Sequence, residues 1–204
     1  MEYNIVFTGV GGQGVLLASQ VIGNAAFEAD ENVRIGEVHG MSQRGGSVIA
    51  HVRFGDDVYG PMVPVGKADV IVALEPMEAL RYAEYLKEDG TMVVNFNSED
   101  PLPVQEGQAE YPDEERLAEQ LESFGELVRV DADALAEEAG NRIVSNSVML
   151  GVLQAVEGFP LDEDGVLDTL KAQVPADALE PNLKAFELGK GEIDSDQTAP
   201  VDAM

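Results

Sequence analysis

Short apolar segments alternate with longer amphipathic ones along the chain, and these two periodicities predict strands and helices respectively. The predicted strands cover residues 3–8, 32–38, 47–54, 68–74, 91–95 and 126–130. The predicted helices cover residues 15–29, 75–86, 113–124, 131–139, 146–156, 162–173 and 177–188. Because strands and helices alternate, we expect an α/β fold: a three-layer, doubly wound and mainly parallel sheet that opens with a βαβ unit.

The segment after the second strand departs from this alternation and predicts a β-hairpin insertion. Residues 47–54 alternate between apolar and polar side chains, as a half-buried strand does. The Gly-Asp-Asp run at 55–57 is a turn signal, and two prolines follow shortly after it. We therefore expect residues 58–59 to fold back and pair with strand 47–54.

Two polar segments lie outside the predicted elements. Residues 97–112 contain three prolines and predict a loop. Residues 191–204 contain four acids, no base and no apolar period, which predicts an acidic, disordered tail. The length then suits one domain over residues 1–190 followed by this tail.

The composition indicates a folded protein and excludes several kinds of chemistry. Apolar residues make up 45% of the 204 residues, which is ordinary for a globular domain. Because the chain has no cysteine, it forms no disulfide, has no thiolate nucleophile and ligates no iron–sulfur cluster through cysteine. The N-terminus lacks the features of a secretion signal, and the apolar segments are too short to span a bilayer. We expect a cytoplasmic protein.

The charge is large and unevenly distributed. The chain has 39 acidic and 12 basic residues, a net charge of −27, which repels nucleic acid and anionic lipid. Residues 1–60 carry seven acids and three bases, a net of −4, and residues 61–204 carry the remaining −23. We interpret the acid excess as a halophilic adaptation, and we expect the first 60 residues to form core, ligand or partner surfaces.

A glycine-rich loop separates the first strand from the first helix, and its pattern suits a phosphate ligand. Residues 9–14 read Gly-Val-Gly-Gly-Gln-Gly, a G-x-G-x-x-G run whose backbone turns tightly beside a helix N-terminus. Glu37 follows Gly14 by 23 residues, which is the spacing of the ribose-binding acid in a Rossmann-like dinucleotide site. The pattern keeps a free-standing NAD(P)- or FAD-binding protein as an alternative.

A second motif, residues 37–46, reads Glu-Val-His-Gly-Met-Ser-Gln-Arg-Gly-Gly and is too polar and glycine-rich for a regular element. Its single base, Arg44, has the planar guanidinium that suits a phosphate or a carboxylate. Pairing with Glu37, or with an acid of a partner protein, is the other interpretation. His39 and His51 lie 12 residues apart without neighbouring ligand residues, so no metal site is expected.

Together with residues 146–151, which read Asn-Ser-Val-Met-Leu-Gly, these motifs resemble the gamma subunit or gamma domain of 2-oxoacid:ferredoxin oxidoreductases. The run 37–46 is most similar to the beta subunit of indolepyruvate ferredoxin oxidoreductases, and the acidity is similar to that of haloarchaeal sequences. The resemblance covers residues from 3 to about 190, and the second motif is far more specific than the glycine loop.

The resemblance implies a CoA-dependent oxidative decarboxylation of an aryl 2-oxoacid such as indolepyruvate, with ferredoxin as the electron acceptor. It also implies that thiamine diphosphate and the iron–sulfur clusters belong to a larger partner subunit, so that this chain has no catalytic residue and is inactive alone. Coenzyme A is a candidate ligand at the subunit interface, and Asn146 is expected to cap helix 146–156. The residues expected to line a ligand or partner cleft are Gly9, Gly11, Gly12, Gln13, Gly14, Glu37, His39, Met41, Ser42, Gln43, Arg44, Gly45 and Gly46.

Overall fold

The computed structural model describes residues 2–40, 45–96 and 111–196. The strands within these ranges are β1 Tyr3–Val10, β2 Val33–His39, β3 Ser47–Phe54, β4 Ala68–Ala73, β5 Leu86–Asn95 and β6 Glu126–Val130. The α-helices are α1 Val15–Glu28, α2 Pro76–Tyr82, α3 Glu114–Glu122, α4 Ala132–Ala139, α5 Ser145–Ala155, α6 Glu163–Gln173 and α7 Leu179–Asp196. Short 3-10 turns occupy Ala83–Tyr85, Arg142–Val144 and Ala176–Ala178.

The strands form one sheet in the order β2-β3-β1-β4-β5-β6. Strands β1, β4, β5 and β6 pair in parallel, whereas β3 pairs antiparallel with both β1 and β2. All strands except β3 therefore run in the same direction. Buried apolar side chains cover both faces, with α1 and α4 to α7 on one side and α2 and α3 on the other. These observations confirm the predicted three-layer, mainly parallel α/β fold.

The hairpin insertion is present, but the predicted pairing is wrong. β3 pairs with β2 along one edge and with β1 along the other, so residues 58–59 have no free ladder to join. They belong to a loop held over the sheet, where Asn32 donates to the carbonyl oxygen of Val58 at 2.9 Å. The insertion also places β3 between β1 and β2, so the strands of the opening strand–helix–strand unit are not neighbours.

Several element boundaries differ from the predictions. β5 begins at Leu86 instead of residue 91, and α2 ends at Tyr82 before a 3-10 turn. α7 continues to Asp196, beyond the predicted start of the tail at residue 191, and residues 197–204 lie outside the described ranges. Most of the predicted loop, residues 97–110, lies outside them as well. In the described ranges, no helix combines the length and apolar character needed to cross a membrane.

The contact between α5 and α7 depends on two glycines. A Cβ on Gly151 of α5 would overlap the carbonyl oxygen of Phe186, and a Cβ on Gly189 of α7 would overlap that of Val148. The two helices therefore touch backbone to backbone, which gives Gly151 of the third motif a packing role. This close pairing fixes the position of α5, whose first turn faces the glycine loop.

Candidate functional site

The glycine loop adopts a backbone conformation that suits glycine. β1 ends at Val10, and the φ angles of Gly12 and Gly14 are 112° and 85°, in the left-handed region. The side-chain oxygen of Gln13 accepts a hydrogen bond from the Val10 N–H at 2.7 Å and closes the loop. The same oxygen would lie 2.7 Å from a Cβ on Gly9, so packing excludes a side chain there.

Backbone hydrogen bonds join the glycine loop to the second motif. The Gly11 N–H donates to the carbonyl oxygen of Gly46 at 2.8 Å, and the Gly45 N–H donates to that of Gly11 at 3.4 Å. These bonds continue the antiparallel β1–β3 ladder beyond the ends of both strands. The two motifs therefore form one site. Met41, Ser42, Gln43 and Arg44 lie outside the described residues.

The third motif reaches the same site from α5. The side-chain nitrogen of Asn146 lies 2.6 Å from the position that a Cβ on Gly14 would take. Asn146 is buried, and its side-chain oxygen accepts from the Ser147 N–H at 3.1 Å. The helix begins at Ser145 with Val144 as its N-cap residue, so the predicted capping role of Asn146 is wrong. Its amide instead packs on the glycine loop.

A cleft of about 520 Å³ opens beside the loop, at the carboxyl ends of β1 and β2. Its described lining residues are Val10, Gly11, Gly12, Gly14, Val15, Leu16, His39, Gly40 and Val48. The lining is mostly glycine backbone and apolar side chains. No side chain caps α1, and its first turn has no acid, so its free N–H groups and dipole can attract an anion.

Of the described residues predicted to line the cleft, Gly11, Gly12, Gly14 and His39 do so, whereas the remaining ones are not among its lining residues: Gly9, Gln13, Glu37, Gly45 and Gly46. β3 lies between β1 and β2, so Glu37 is two strand spacings, about 10 Å, from β1, and it is exposed. The ribose-binding acid of a dinucleotide fold follows the strand next to the one that leads into the glycine loop. The sheet order therefore contradicts that role for Glu37, although His39, two residues later, does line the cleft.

A buried polar network behind the cleft was missed by the motif search. Ser47, the first residue of β3, donates to Glu78 at 2.5 Å and lies 2.9 Å from the Tyr82 hydroxyl. Glu75 caps α2 by accepting from the Glu78 N–H at 2.7 Å, and it also accepts from the Tyr111 hydroxyl. The network ties the start of β3, and with it the second motif, to α2.

The two carboxyl groups of this network lie in a dry environment. Glu75 is fully buried and Glu78 nearly so. Burial raises the pKa of Glu75, even though the Tyr111 hydrogen bond acts in the opposite direction. A local signal was available, because Glu-Pro-Met-Glu at 75–78 places an acid before a helical proline and a second acid three residues later.

His51 is a core residue of β3, which is buried on both faces, so its apolar–polar alternation does not mark a half-buried strand. Its ring is fully buried, its Nδ1 accepts from the Val63 N–H at 3.4 Å, and it lies edge-on to Tyr85. Burial lowers the pKa of His51 to about 4, and the nearby charge of Arg53 adds to the shift. Among the described residues, no three His, Cys, Asp or Glu side chains converge in a way that could hold a metal ion.

Comparison with known proteins agrees with this architecture. Residues 4–192 match the family Pyruvate ferredoxin/flavodoxin oxidoreductase, and the chain belongs to this family. It is 53% identical to the indolepyruvate oxidoreductase subunit IorB of Pyrococcus horikoshii, over 92% of this chain and 94% of that protein.

Two solved structures share the fold. The pyruvate oxidoreductase subunit PORC of Thermotoga maritima is 26% identical with a TM-score of 0.71, covering 94% of this chain and 96% of that one. The 2-oxoglutarate:ferredoxin oxidoreductase of Magnetococcus marinus, solved with 2-oxoglutarate, coenzyme A and succinyl-CoA bound, has a TM-score of 0.74. The alignment with the Magnetococcus structure covers 95% of this chain and 31% of that one. Because the identity is only 20%, this similarity concerns the fold alone.

Proposed function

We propose that this chain is the smaller subunit of a 2-oxoacid:ferredoxin oxidoreductase that oxidatively decarboxylates indolepyruvate or another aryl pyruvate. Coenzyme A is the acyl acceptor and ferredoxin the electron acceptor, and the complex is a cytoplasmic heteromer. The observation that supports this most is the meeting of three motifs around one cleft, in a chain 53% identical to an indolepyruvate oxidoreductase subunit.

In this proposal, thiamine diphosphate and the iron–sulfur clusters are held by a larger partner subunit. The donor chemistry of this chain fits that division, because it has no cysteine to ligate a cluster. The described cleft is lined by glycine backbone and apolar side chains, which suit binding and orientation better than bond-making. The chain then contributes a surface for the reaction and no catalytic residue.

The cleft suits the anionic part of coenzyme A at the subunit interface. The uncapped N-terminus of α1 and the glycine backbone favour a phosphate, and His39 also lines the cleft. We assign Arg44 as the second contact, because its guanidinium bonds a phosphate through two N–H groups. Met41, Ser42 and Gln43 stand in the same motif and complete the proposed lining.

The alternative, a free-standing NAD(P)- or FAD-binding protein, lacks support from the sheet order because Glu37 is separated from β1 by β3. Calorimetry with NAD, NADP and FAD on the isolated chain tests it, and we expect no binding heat. Saturable micromolar binding of any of the three would restore this alternative.

Reconstitution with the larger subunit of the same organism tests the proposal. In molar KCl, we expect CoA-dependent reduction of ferredoxin or a dye by indolepyruvate when both subunits are present, and none with either alone. Full turnover by the isolated chain would overturn the proposal. In the assembled complex, Arg44→Ala should raise the KM for coenzyme A at least tenfold. Unchanged kinetics would instead show that this chain serves only in the assembly of the complex.

We also propose that the acid excess adapts the protein to concentrated salt. With 39 acids against 12 bases, the self-repulsion of the folded chain is large in dilute buffer and is screened in molar KCl. Lysine is scarcer than arginine, at 5 of the 12 bases, which agrees with such a surface.

A further inference from the structure

We infer that the outer side of β2, with the apolar side chains beside it, is the surface on which the larger oxidoreductase subunit docks. We call this surface the β2 edge. It comprises Phe27, Ile35, Val38, Tyr59 and Met62, all of them exposed. The inference rests on the proposed function, because it names the contact between the two subunits.

β2 is an edge strand whose outer side has no pairing partner among the described residues. It is terminal in the sheet order and pairs with β3 alone. Val38 is 51% exposed, whereas nearly every residue of β3 beside it is buried. Edge strands are commonly protected by charged side chains, especially lysine, by proline or by a bulge. β2 has the exposed charges Arg34 and Glu37, but it has no lysine, no proline and no bulge against β3. The other edge strand, β6, is fully described and exposes no large apolar side chain.

Exposed apolar groups flank β2 on both of its faces. Towards α1, Ile35 packs against Gly23, and Phe27, one turn further along the helix, is 66% exposed. On the other face, a Cβ on Gly36 would lie 3.3 Å from the sulfur of Met62, which is itself 44% exposed. Exposed apolar side chains grouped around one strand mark an interaction surface rather than scattered surface residues.

The charge of this region differs from that of the whole chain. Residues 33–67 carry four bases and three acids, a net of +1, whereas the whole chain carries −27. The loop within this range has no acid from residue 58 to residue 68 and exposes Tyr59 and Val65. A near-neutral apolar surface therefore lets a partner approach with less electrostatic repulsion than the rest of this acidic chain would cause.

The β2 edge is continuous with the cleft. β2 ends at His39, which lines the cleft together with Gly40, so a partner docked along β2 would also close the cleft. In the Magnetococcus oxidoreductase, the matching unit is 31% of one longer chain, so the rest of that oxidoreductase is tethered to it. An extended segment of the larger subunit would add a strand to β2, with its apolar side chains on Ile35 and Val38.

Binding and hydrogen exchange in the two-subunit complex test this inference. The affinity of this chain for the larger subunit is measured in molar KCl for the unmodified chain, Val38→Asp, Met62→Asp and the control Phe124→Asp. Phe124 is 41% exposed and lies just before β6, at the other edge of the sheet. We expect at least tenfold weaker binding for the first two variants, less than twofold change for the control, and slowed exchange of the 33–39 amides in the complex.

The outcomes separate this inference from the proposed function. An active complex with unchanged exchange at residues 33–39 and normal binding by both variants would overturn the docking surface and leave the proposed function intact. Absence of any complex would overturn both. A dimer of the isolated chain that Val38→Asp dissociates, with binding to the larger subunit unaffected, would assign the surface to a second copy. If a variant does not fold, the exchange measurement on the unmodified chain decides.

Discussion

The two ends of the β-sheet differ in their chemistry. The carboxyl end has the glycine cleft, apolar side chains and the buried Glu75 network. The amino end has a cavity of about 410 Å³ lined by charged groups, which include Glu2, Glu31, Asp56, Asp69, Lys87, Asp89 and Glu157. There Arg53 donates to Asn4 at 2.8 Å and to Glu2 at 2.5 Å.

This difference distinguishes structural contacts at the amino end from the proposed binding site at the carboxyl end. At the amino end, Arg53 pairs with Glu2 and Lys87 pairs with Asp69, and these contacts stabilise the fold. At the carboxyl end, Glu75 is buried and pairs with no base among the described residues, burial raises its pKa, and its ionised form costs stability. The proposed binding site therefore lies beside the less stable arrangement of the two.

Among the predicted effects on stability, that of salt concentration should be the largest, and it should act on both ends of the sheet. On transfer from molar KCl to dilute buffer, we expect loss of fold or of assembly, because a net charge of −27 is then poorly screened. Circular dichroism and thermal melting over a KCl series measure this. An uncharged osmolyte at matched osmolality should not replace KCl, and a melting temperature indifferent to salt would count against the halophilic interpretation.

Arg53→Met should disrupt the charged contacts at the amino end of the sheet. Arg53 is buried and also donates to the carbonyl oxygens of Gly60 and Met62, so its loss leaves several acceptors unpaired. We expect a loss of about 3 kcal/mol in the free energy of unfolding. The control is Arg129→Met, which breaks an exposed pair with Glu114 and should cost less than about 1 kcal/mol. Equal losses in chemical denaturation would show that burial does not distinguish the two sites.

His51 lies between the two ends, and its titration should make stability depend on pH. Its pKa is about 4 in the folded chain and 6.5 in the unfolded one, so only the unfolded chain gains a proton as the pH falls below 6.5. Stability should therefore fall between pH 6.5 and 4, by about 3 kcal/mol from this group. His51→Leu removes this contribution, and the difference between the two unfolding curves across pH measures it. Parallel curves would contradict the prediction.

Gly14→Ala tests the carboxyl end directly. An alanine at position 14 would have to adopt a φ of 85°, and its Cβ would lie 2.6 Å from the Asn146 side chain. We expect about 2 kcal/mol lower stability and at least tenfold higher KM for coenzyme A in the reconstituted complex. The matched control is Gly140→Ala, at a φ of 104° with open space around it, which should lower stability by about 1 kcal/mol and leave the kinetics unchanged.

Glu75→Gln should change the free energy of unfolding least, and it should raise stability where the preceding variants lower it. A folded-state pKa raised above 4.5 means that stability from Glu75 is present below pH 4.5 and is lost as pH rises. The neutral amide avoids this loss, so the variant should gain stability relative to the unmodified chain as the pH increases towards 7. Denaturation at pH 4 and pH 7 measures the gain. A variant less stable at pH 7 than the unmodified chain would show that the carboxylate is stabilised where it lies.

Local pattern predicted most elements, and its failures have a common cause. Strands such as β6 and helices such as α1 follow from periodicity, which records the side chains that face the core. Periodicity does not record which strands are neighbours, so it did not predict that β3 separates β1 from β2. The role suggested for Glu37 was wrong for the same reason.

The same distinction between local patterns and long-range contacts applies to the candidate site. Gly11, Gly12 and Gly14 were predicted because the glycine pattern is contained in six consecutive residues. The contact of Asn146 with Gly14 and the bond of Ser47 with Glu78 join residues that are far apart in the chain. Neither contact has a local signature.

The α/β class, the glycine loop, the absence of cysteine chemistry and the low charge of the first 60 residues can all be read from the amino-acid sequence. These properties follow from residue type and from spacing along the chain. The folded chain was needed to see that three motifs meet beside one cleft, that Glu37 lies away from it, and that β2 is an exposed edge. Those properties depend on which strand pairs with which, and pairing is set by burial summed over the whole sheet.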